Sequence, residues 1–148
     1  MSNQVEVKVK RLPNNVSLPE YATAGAAGMD LTAGISEPVT LKPLERKLIP
    51  TGIIIELPKG YEAQVRPRSG LSIKFGITLI NCTGTIDEDY RGEVKVPMVN
   101  ISNEAYTIEP GARIAQMIIS PVTKAVLIEE KELTETARSS GGFGSTGF

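Results

Sequence analysis

Short apolar runs, repeatedly broken by proline or glycine, limit what this chain can fold into. Between Val39 and Leu57 the runs VTL, KLIP and TGIIIELP are interrupted by Pro43, Pro50 and Gly52. The chain of 148 residues holds 10 prolines and 14 glycines, a composition that suits turns better than helices. Strands of about five residues with closely spaced turns are typical of a β-sandwich or barrel. We therefore predict one all-β domain.

Two other stretches alternate with a period of two, and one stretch favours a helix. Val5–Lys10 (VEVKVK) and Glu93–Asn100 (EVKVPMVN) both place apolar residues on one face, as half-buried strands do. A single short helix is predicted within residues 67–76 (PRSGLSIKFG). Ser69 is its expected N-cap and Gly76 the glycine that ends it.

Charge and apolar content exclude several kinds of protein. Lys and Arg total 16 against 17 Asp and Glu, so the net charge is −1, whereas dedicated nucleic-acid binders usually show a basic excess. No apolar run approaches the ~20 residues that span a bilayer, and the start MSNQVEVKVK lacks the apolar core of a signal peptide. We expect no nucleic-acid partner and no membrane partner. Cys82 is the only cysteine, so a reducing cytoplasm is the expected location.

The lack of histidine narrows the possible chemistry. With no His and one Cys, Ser-His-Asp and Cys-His catalysis in their usual forms are excluded, as are ordinary zinc sites. Any metal must take oxygen ligands, which indicates Mg²⁺ held largely by the phosphates of a substrate. Catalysis then depends on carboxylates, Arg, Lys, Tyr or hydroxyl groups.

A hairpin is predicted in the middle of the chain. The apolar runs Ile77–Ile80 and Thr85–Ile86 flank the small, bendable residues 81–84 (NCTG), a pattern typical of a β-hairpin with glycine in its turn.

Polar groups in and after this turn are candidates for a binding site. The Asn81 side chain offers both a donor and an acceptor to the edge of a heterocycle. Three acids follow, and Asp87 is placed to orient a water or hold a cation, while Tyr90 offers a flat face to a sugar or base. An acidic surface turn with a packed tyrosine fits the same residues.

The predicted helix start is a second candidate, for an anion. Free backbone N–H groups, the Ser69 hydroxyl and the Arg68 guanidinium would converge on one phosphate there, although a capped surface turn explains the same pattern.

Two further polar residues have ambiguous surroundings. Asp30 lies between Met29 and Leu31, so it is either a functional acid or simply the outward residue of a strand. In the strand RIAQMII, alternation places Arg113 on the face opposite Gln116, which is either a satisfied buried amide or a pocket residue.

Residues 133–148 differ in character from the preceding 132. The sequence LTETARSSGGFGSTGF has few large apolar residues and should be mobile when free. Its glycines can turn N–H groups towards anions, Arg138 adds a charge, and Phe143 offers a stacking face. It lacks the Lys of a phosphate-binding GxxxxGK[ST] loop, and a solubilising tail has a similar composition. We therefore predict a β domain over 1–132 and a flexible tail over 133–148.

Five blocks of the chain, taken together, resemble the homotrimeric dUTPase family, the deoxyuridine triphosphate nucleotidohydrolases. In order they are AGAAGMDLTA (Ala24–Ala33), PRSGLS (Pro67–Ser72), GTIDEDYRGEV (Gly84–Val94), RIAQMI (Arg113–Ile118) and RSSGGFGSTG (Arg138–Gly147). One departure is Ser139, where many members have glycine; serine can still donate a hydrogen bond.

The resemblance implies a jelly-roll-like β fold assembled as a homotrimer, with three active sites between subunits. The reaction would be Mg²⁺-dependent hydrolysis of dUTP to dUMP and pyrophosphate, by in-line attack of water on the α-phosphorus. Such an enzyme keeps uracil out of DNA and supplies dUMP for dTMP synthesis. Mg²⁺ would be held by substrate phosphates and waters, with no direct protein ligand.

The resemblance also assigns roles to residues. Asp87 would orient the attacking water, with Asp30 as a supporting acid. Tyr90 would lie against the deoxyribose and reject a 2′-hydroxyl. The tail would close over the site, with Arg138 on the terminal phosphate and Phe143 over the uracil. The implied substrate-binding residues are Arg68, Ser69, Gly70, Asn81, Gly84, Tyr90, Gln116, Arg138, Phe143, Gly144, Ser145 and Thr146.

Two alternatives remain. One is a dCTP deaminase, or a bifunctional deaminase and dUTPase, on the same fold. The GTIDEDYRG block and the Phe-containing tail favour the hydrolase. The other is a non-catalytic nucleotide-binding protein, and the presence of the acid, the arginines and the tail together argues against it.

Overall fold

A computed structural model describes residues 4–145 and 147 of the chain. These residues form twelve strands and one helix, which confirms the predicted all-β class with one short helix. The strands are β1 (Lys8–Arg11), β2 (Glu20–Tyr21), β3 (Met29–Thr32), β4 (Val39–Leu41), β5 (Arg46–Pro50), β6 (Ile53–Glu56), β7 (Tyr61–Arg66), β8 (Ile77–Leu79), β9 (Gly84–Ile86), β10 (Lys95–Asn100), β11 (Tyr106–Ile108) and β12 (Arg113–Pro121). The helix, α1, spans Ser69–Phe75. No helix among the described residues is long and apolar enough to cross a bilayer.

The strands are arranged in four sheets, and every pairing between them is antiparallel. The largest sheet has five strands in the order β2-β3-β12-β7-β9, and a second has three in the order β5-β10-β8. Two smaller pairs are β1-β6 and β4-β11. Strands that are distant in sequence therefore lie side by side: the last strand, β12, fits between β3 and β7.

The core is built from the inward faces of these strands. In β6, for example, Ile53 and Ile55 are each 1% exposed, while Glu56, the last residue of the strand, is exposed. Alternate residues of a strand point to opposite faces. The largest fully buried side chains are Leu31, Leu41, Ile49, Ile53, Ile55, Ile77, Met98, Ile108, Ile114, Met117, Val94 and Val96. Each such burial contributes about 1.5–3 kcal/mol relative to an exposed side chain.

One buried polar side chain organises the loop after β10. Asn100 is fully buried, and its Nδ2 donates to the carbonyls of Leu41 (3.0 Å) and Glu104 (2.7 Å). Its Oδ1 accepts hydrogen bonds from the backbone and the hydroxyl of Ser102. All of the amide's strong bonding positions are thus used, as burial of a polar group requires.

The predicted hairpin is wrong. β8 pairs with β10, and β9 pairs with β7, so Ile77–Ile80 and Thr85–Ile86 lie in different sheets. Both short strands are buried at alternate positions, and each gains a longer strand as its partner. Residues 80–83 therefore form a turn that crosses from the three-stranded to the five-stranded sheet.

The predicted helix exists, but its start differs by one residue. Arg68 occupies the N-cap position with extended dihedral angles (φ −93°, ψ 130°) and no side-chain capping hydrogen bond, so Ser69 is the first helical residue rather than the cap. The Arg68 side chain turns towards Asp30 instead of capping the helix. At the other end Gly76 adopts the left-handed conformation (φ 64°), as predicted, and its N–H reaches the carbonyls of Leu71 and Ser72.

Candidate active site

Asp30 on β3 is the centre of a charged cluster. Its Oδ1 lies 3.4 Å from Arg68 Nε, and its Oδ2 lies 3.4 Å from Arg113 Nη1. The Asp30 side chain is 23% exposed, so each partly solvated ion pair contributes roughly 0.2–1 kcal/mol. Their stronger effect is geometric, since one carboxylate holds two guanidinium groups side by side. Asp30 is therefore a partly buried acid that pairs with two arginines.

Arg113 reaches this cluster because of a bulge in β12. Plain alternation predicts it on the face opposite Gln116, and that prediction is wrong. Arg113 lies opposite Thr32 and Gln116 opposite Asp30, with a register shift between Arg113 and Ala115. A bulge inserts one extra residue into a strand and so reverses the alternation on one side of it.

Gln116 connects β12 to the start of α1. Its Nε2 donates to the carbonyl of Pro67 at 3.0 Å. A Cβ at Gly28 would lie 2.7 Å from Gln116 Oε1, so glycine leaves the amide its space. Within the described part of the chain, no donor reaches that oxygen, so the half-buried amide has an acceptor without a partner there.

The entry to α1 presents positive charge to solvent. Arg68 Nη1 donates to the carbonyl of Arg113 at 3.2 Å, which holds the two arginines together. Ser69 and Gly70 are exposed, and a Cβ at Gly70 would meet nothing within 4 Å. Burial raises the pKa of the neighbouring Tyr106 phenol, while the charge of Arg68 opposes this shift. Two guanidiniums beside open helical N–H groups form a surface suited to anions.

The turn that crosses between the sheets presents Asn81. Its side chain is exposed and lies close to Gly84: a Cβ on that glycine would be 3.3 Å from Asn81 Nδ2. Gly84 is buried at the start of β9 and also faces Val65 of β7. The backbone can thus come close to whatever the amide binds.

Asp87 lies at the exposed end of β9, on a well-fixed turn. The N–H of Tyr90 donates to the carbonyl of Asp87 at 3.1 Å. Arg91 Nη1 donates to the carbonyls of Glu88 (2.7 Å) and Tyr90 (3.0 Å). In the described residues no side chain hydrogen-bonds or ion-pairs with the Asp87 carboxylate, so it is available to solvent or to a ligand.

The Tyr90 ring is neither packed in the core nor free. It is 45% exposed, and its hydroxyl donates to the carbonyl of Glu93 at 3.1 Å. One side of the ring lies against Gly92, which leaves the remainder of the ring open to contact.

The tail forms turns but no helix or strand where it is described. Arg138 Nε donates to the carbonyl of Gly141 at 2.9 Å, and Phe143 is fully exposed. Ser139 and Phe143 have positive φ angles of 45° and 50°, and Gly144 has 85°. Ser145 is exposed, whereas Thr146 lies outside the described residues.

The predicted site residues thus fall into three groups. The first contains Asp30, Arg68, Ser69, Gly70 and Gln116. The second contains Asn81, Gly84, Asp87 and Tyr90, and the third is the tail. Among residues 4–145 and 147, no hydrogen bond or ion pair links one group to another. Arg113 joins the first group through Asp30 and Arg68; the sequence did not predict this, because a strand bulge leaves no clear mark in a pattern of alternation.

Solved structures place this arrangement among nucleotide hydrolases. A mutant dUTPase of Staphylococcus bacteriophage 80alpha, determined with dUpNHpp, superposes with a TM-score of 0.87 at 28% identity, covering 99% of this chain and 100% of that chain. A mutant dUTPase from phage phi11 of S. aureus, whose structure shows the coordination of a structural Mg(II) ion, superposes with a TM-score of 0.79 at 25% identity. That match covers 88% of this chain and 100% of the phage chain.

Sequence comparison identifies the family. The sequence model of the dUTPase family matches residues 14–147. The deoxyuridine 5′-triphosphate nucleotidohydrolase of Finegoldia magna is 59% identical over 144 residues, covering 97% of this chain and 100% of that protein. Its counterpart in Cytophaga hutchinsonii is 57% identical over 141 residues, covering 95% of this chain and 91% of that protein. This chain therefore belongs to the dUTPase family and is a dUTP diphosphatase.

Proposed function

We propose that this chain hydrolyses dUTP to dUMP and pyrophosphate through Mg²⁺-dependent, in-line attack of water on the α-phosphorus. The observation that carries the mechanism is the exposed Asp87 carboxylate, which has no partner in the described residues and stands on a turn fixed by the Tyr90 N–H. In a cell this reaction keeps uracil out of DNA and supplies dUMP for dTMP synthesis.

Recognition of the nucleoside falls to the second group. The Asn81 amide, with the backbone near Gly84, pairs with the uracil edge and disfavours cytosine, whose donor and acceptor pattern differs. The tight turn leaves no room for the methyl group of thymine. Tyr90 lies against the deoxyribose and leaves no room for a 2′-hydroxyl, which excludes UTP.

Recognition of the triphosphate falls to the first group. Arg68, with the N–H groups of Ser69 and Gly70, contacts phosphate oxygens, and Gln116 contacts them through water. Asp30 supports this site, since it keeps the Arg68 side chain in place. Charge-assisted hydrogen bonds of this kind are shorter and stronger than neutral ones.

In the chemical step Asp87 orients a water molecule and accepts its proton. The water oxygen forms a bond to the α-phosphorus, while the bond from that phosphorus to the bridging oxygen of the β-phosphate breaks. Pyrophosphate leaves with the electron pair of that bond. Positioning and charge stabilisation supply most of the rate, because a carboxylate is a weak base.

Mg²⁺ fits the donor groups available. No group of three or more Asp, Glu or Cys side chains in the described part of the chain is gathered to hold a metal ion. Mg²⁺ usually keeps several waters and binds through substrate phosphates rather than in an all-protein cage. When bound, the ion neutralises charge on the phosphates; the chain supplies Arg68 and Arg138 for the same purpose.

We further propose a homotrimer with shared active sites. Two features support assembly. The three groups of site residues are not joined within one chain, and Val126, Leu127 and Ile128 are 87%, 93% and 77% exposed. Consecutive apolar side chains of this size are normally covered by a partner.

The tail, residues 133–148, serves as a mobile lid on the domain of residues 1–132. Arg138 contacts the terminal phosphate and Phe143 covers the uracil, while Gly144, Ser145 and Thr146 donate to phosphate oxygens. Closure excludes bulk water and completes the positive charge around the leaving group. The positive φ of Ser139 is unusual for a residue other than glycine and sets the direction of the chain just after Arg138.

Pyrophosphate release from dUTP, UTP, dTTP and dCTP, with Mg²⁺ and with EDTA, tests the proposal. We expect release from dUTP alone and its loss in EDTA. Equal release from all four nucleotides would contradict base and sugar recognition by the second group. Ammonia release from dCTP would instead indicate a deaminase, and binding of dUTP without turnover would indicate a non-catalytic protein.

Substitution of Tyr90 tests the sugar contact. In Tyr90→Ala the ratio of kcat/KM for dUTP to that for UTP should fall at least about tenfold, because a single steric contact contributes this order of discrimination. The matched control is Tyr21→Ala, since Tyr21 is 52% exposed and lies on β2. An unchanged ratio in Tyr90→Ala would place the sugar contact elsewhere.

A further inference from the structure

We propose that Gly92 is a specificity-determining position. Because Gly92 has no side chain, the Tyr90 ring can lie against its backbone, in the position from which the ring discriminates deoxyribose from ribose. This inference rests on the proposed role of Tyr90 as the sugar contact. It assigns a function to a residue that touches neither the nucleotide nor the reacting atoms in the mechanism above.

The contact between the two residues is direct. A Cβ built on Gly92 would overlap Oη and Cζ of Tyr90 and would lie 2.8 Å from Cε2. The phenol ring therefore rests over the backbone of Gly92, with its outer part on the place that any other residue's side chain would fill.

Space, rather than backbone freedom, explains the glycine. Gly52, Gly60 and Gly76 have positive φ angles, and Gly92 is not among the residues that do. Its φ lies outside the left-handed region that favours glycine, so the constraint on a side chain at position 92 is the space taken by the ring.

The backbone that contacts the ring is held in place by hydrogen bonds of the next residue, Glu93. The Glu93 carboxylate accepts hydrogen bonds from the N–H of Gly52 (2.9 Å) and from Asn14 Nδ2 (3.0 Å). The Glu93 carbonyl in turn accepts the Tyr90 hydroxyl. Asn14 and Gly52, which are distant in sequence, thus fix the position of the backbone that contacts the ring.

A methyl group at position 92 would lower sugar selectivity by displacing the ring from Gly92. The Cβ would take the place of Oη and Cζ of the ring, so the phenol end must leave the Glu93 carbonyl that now holds it. A ring that swings off Gly92 opens the 2′ side of the sugar, and UTP gains access. The ratio of kcat/KM for dUTP to that for UTP then falls; a ratio that stays the same or rises would overturn the proposal.

The test compares Gly92→Ala, Tyr90→Ala and the double variant in the full-length protein, using pyrophosphate release from dUTP and from UTP. We expect Gly92→Ala to lower the selectivity ratio at least about tenfold. The double variant should match Tyr90→Ala alone, because Gly92 acts only through the ring; independent effects would instead multiply. Gly25→Ala is the matched control, since a Cβ there meets nothing within 4 Å.

The outcomes separate the two proposals. If Tyr90→Ala leaves the ratio unchanged, the proposed sugar contact fails. If Tyr90→Ala lowers the ratio while a folded Gly92→Ala does not, the role of Gly92 fails. If Gly92→Ala is unfolded, the double variant, which removes the overlap, should regain the melting temperature of Tyr90→Ala. A double variant that stays unfolded would overturn the contact.

Discussion

Asp87→Asn should retain dUTP binding while losing about two to four orders of magnitude in kcat, the usual contribution of a positioned acid or base. Asparagine has nearly the shape of aspartate but neither its negative charge nor its ability to accept the proton of the attacking water. The turn should be preserved, because its hydrogen bond uses the backbone carbonyl of Asp87 rather than its side chain.

Binding is measured by calorimetry with the non-hydrolysable dUTP analogue dUpNHpp. Turnover is measured as pyrophosphate release under saturating dUTP. Asp89→Asn is the matched control, since it removes the same charge from an exposed residue of the same turn and should turn over normally. Near-normal turnover in Asp87→Asn would remove Asp87 from the mechanism. Equal losses in both variants would indicate a general effect of negative charge.

Deletion of residues 137–148 should lower activity by roughly a hundredfold or more, the scale on which loss of a transition-state donor acts, without changing the melting temperature. In the described part of the tail, hydrogen bonds such as that from Arg138 to Gly141 stay within the tail. Its removal therefore leaves the hydrogen bonds of the β domain intact, while the lid and the Arg138 charge are lost.

Light scattering and thermal melting establish whether the truncated protein stays folded and associated, and pyrophosphate release then gives its activity. Two single substitutions in the full-length chain divide the effect. Arg138→Ala removes the charge, and Phe143→Ala removes the aromatic cover. A truncated protein that unfolds or dissociates would show that the tail is structural, and full activity after truncation would rule out a lid.

Local features of the fold could be predicted from the sequence, whereas the pairing of the strands could not. The all-β class follows from short apolar runs, and the end of α1 follows from Gly76, whose left-handed conformation favours glycine. The hairpin prediction failed for residues 77–86 because strand partners were chosen on distant packing. β8 pairs with β10 and β9 pairs with β7, and both partners are longer strands of six residues.

The same division holds for the site. The sequence leaves two possible surroundings for Asp30 and for Gln116, and only the register of β3 with β12 shows that the two residues lie opposite each other. Arg113 was placed on the wrong face, since a bulge changes alternation by a single residue. The role of Gly92 was invisible, because a lack of side chain has meaning only once the atoms that fill the space are known.

The turn carrying Asn81 connects the two sheets, so the position of this side chain depends on the folding of both. Its first end follows β8, in the three-stranded sheet, and its second end leads into β9, in the five-stranded sheet. A partly folded chain with only one of these sheets has no defined geometry at Asn81. With Asn81 reading the base as proposed above, we expect nucleotide to bind only the folded domain, and a ligand that binds the native state alone raises its stability by mass action. The cellular supply of substrate should then also protect the enzyme against unfolding.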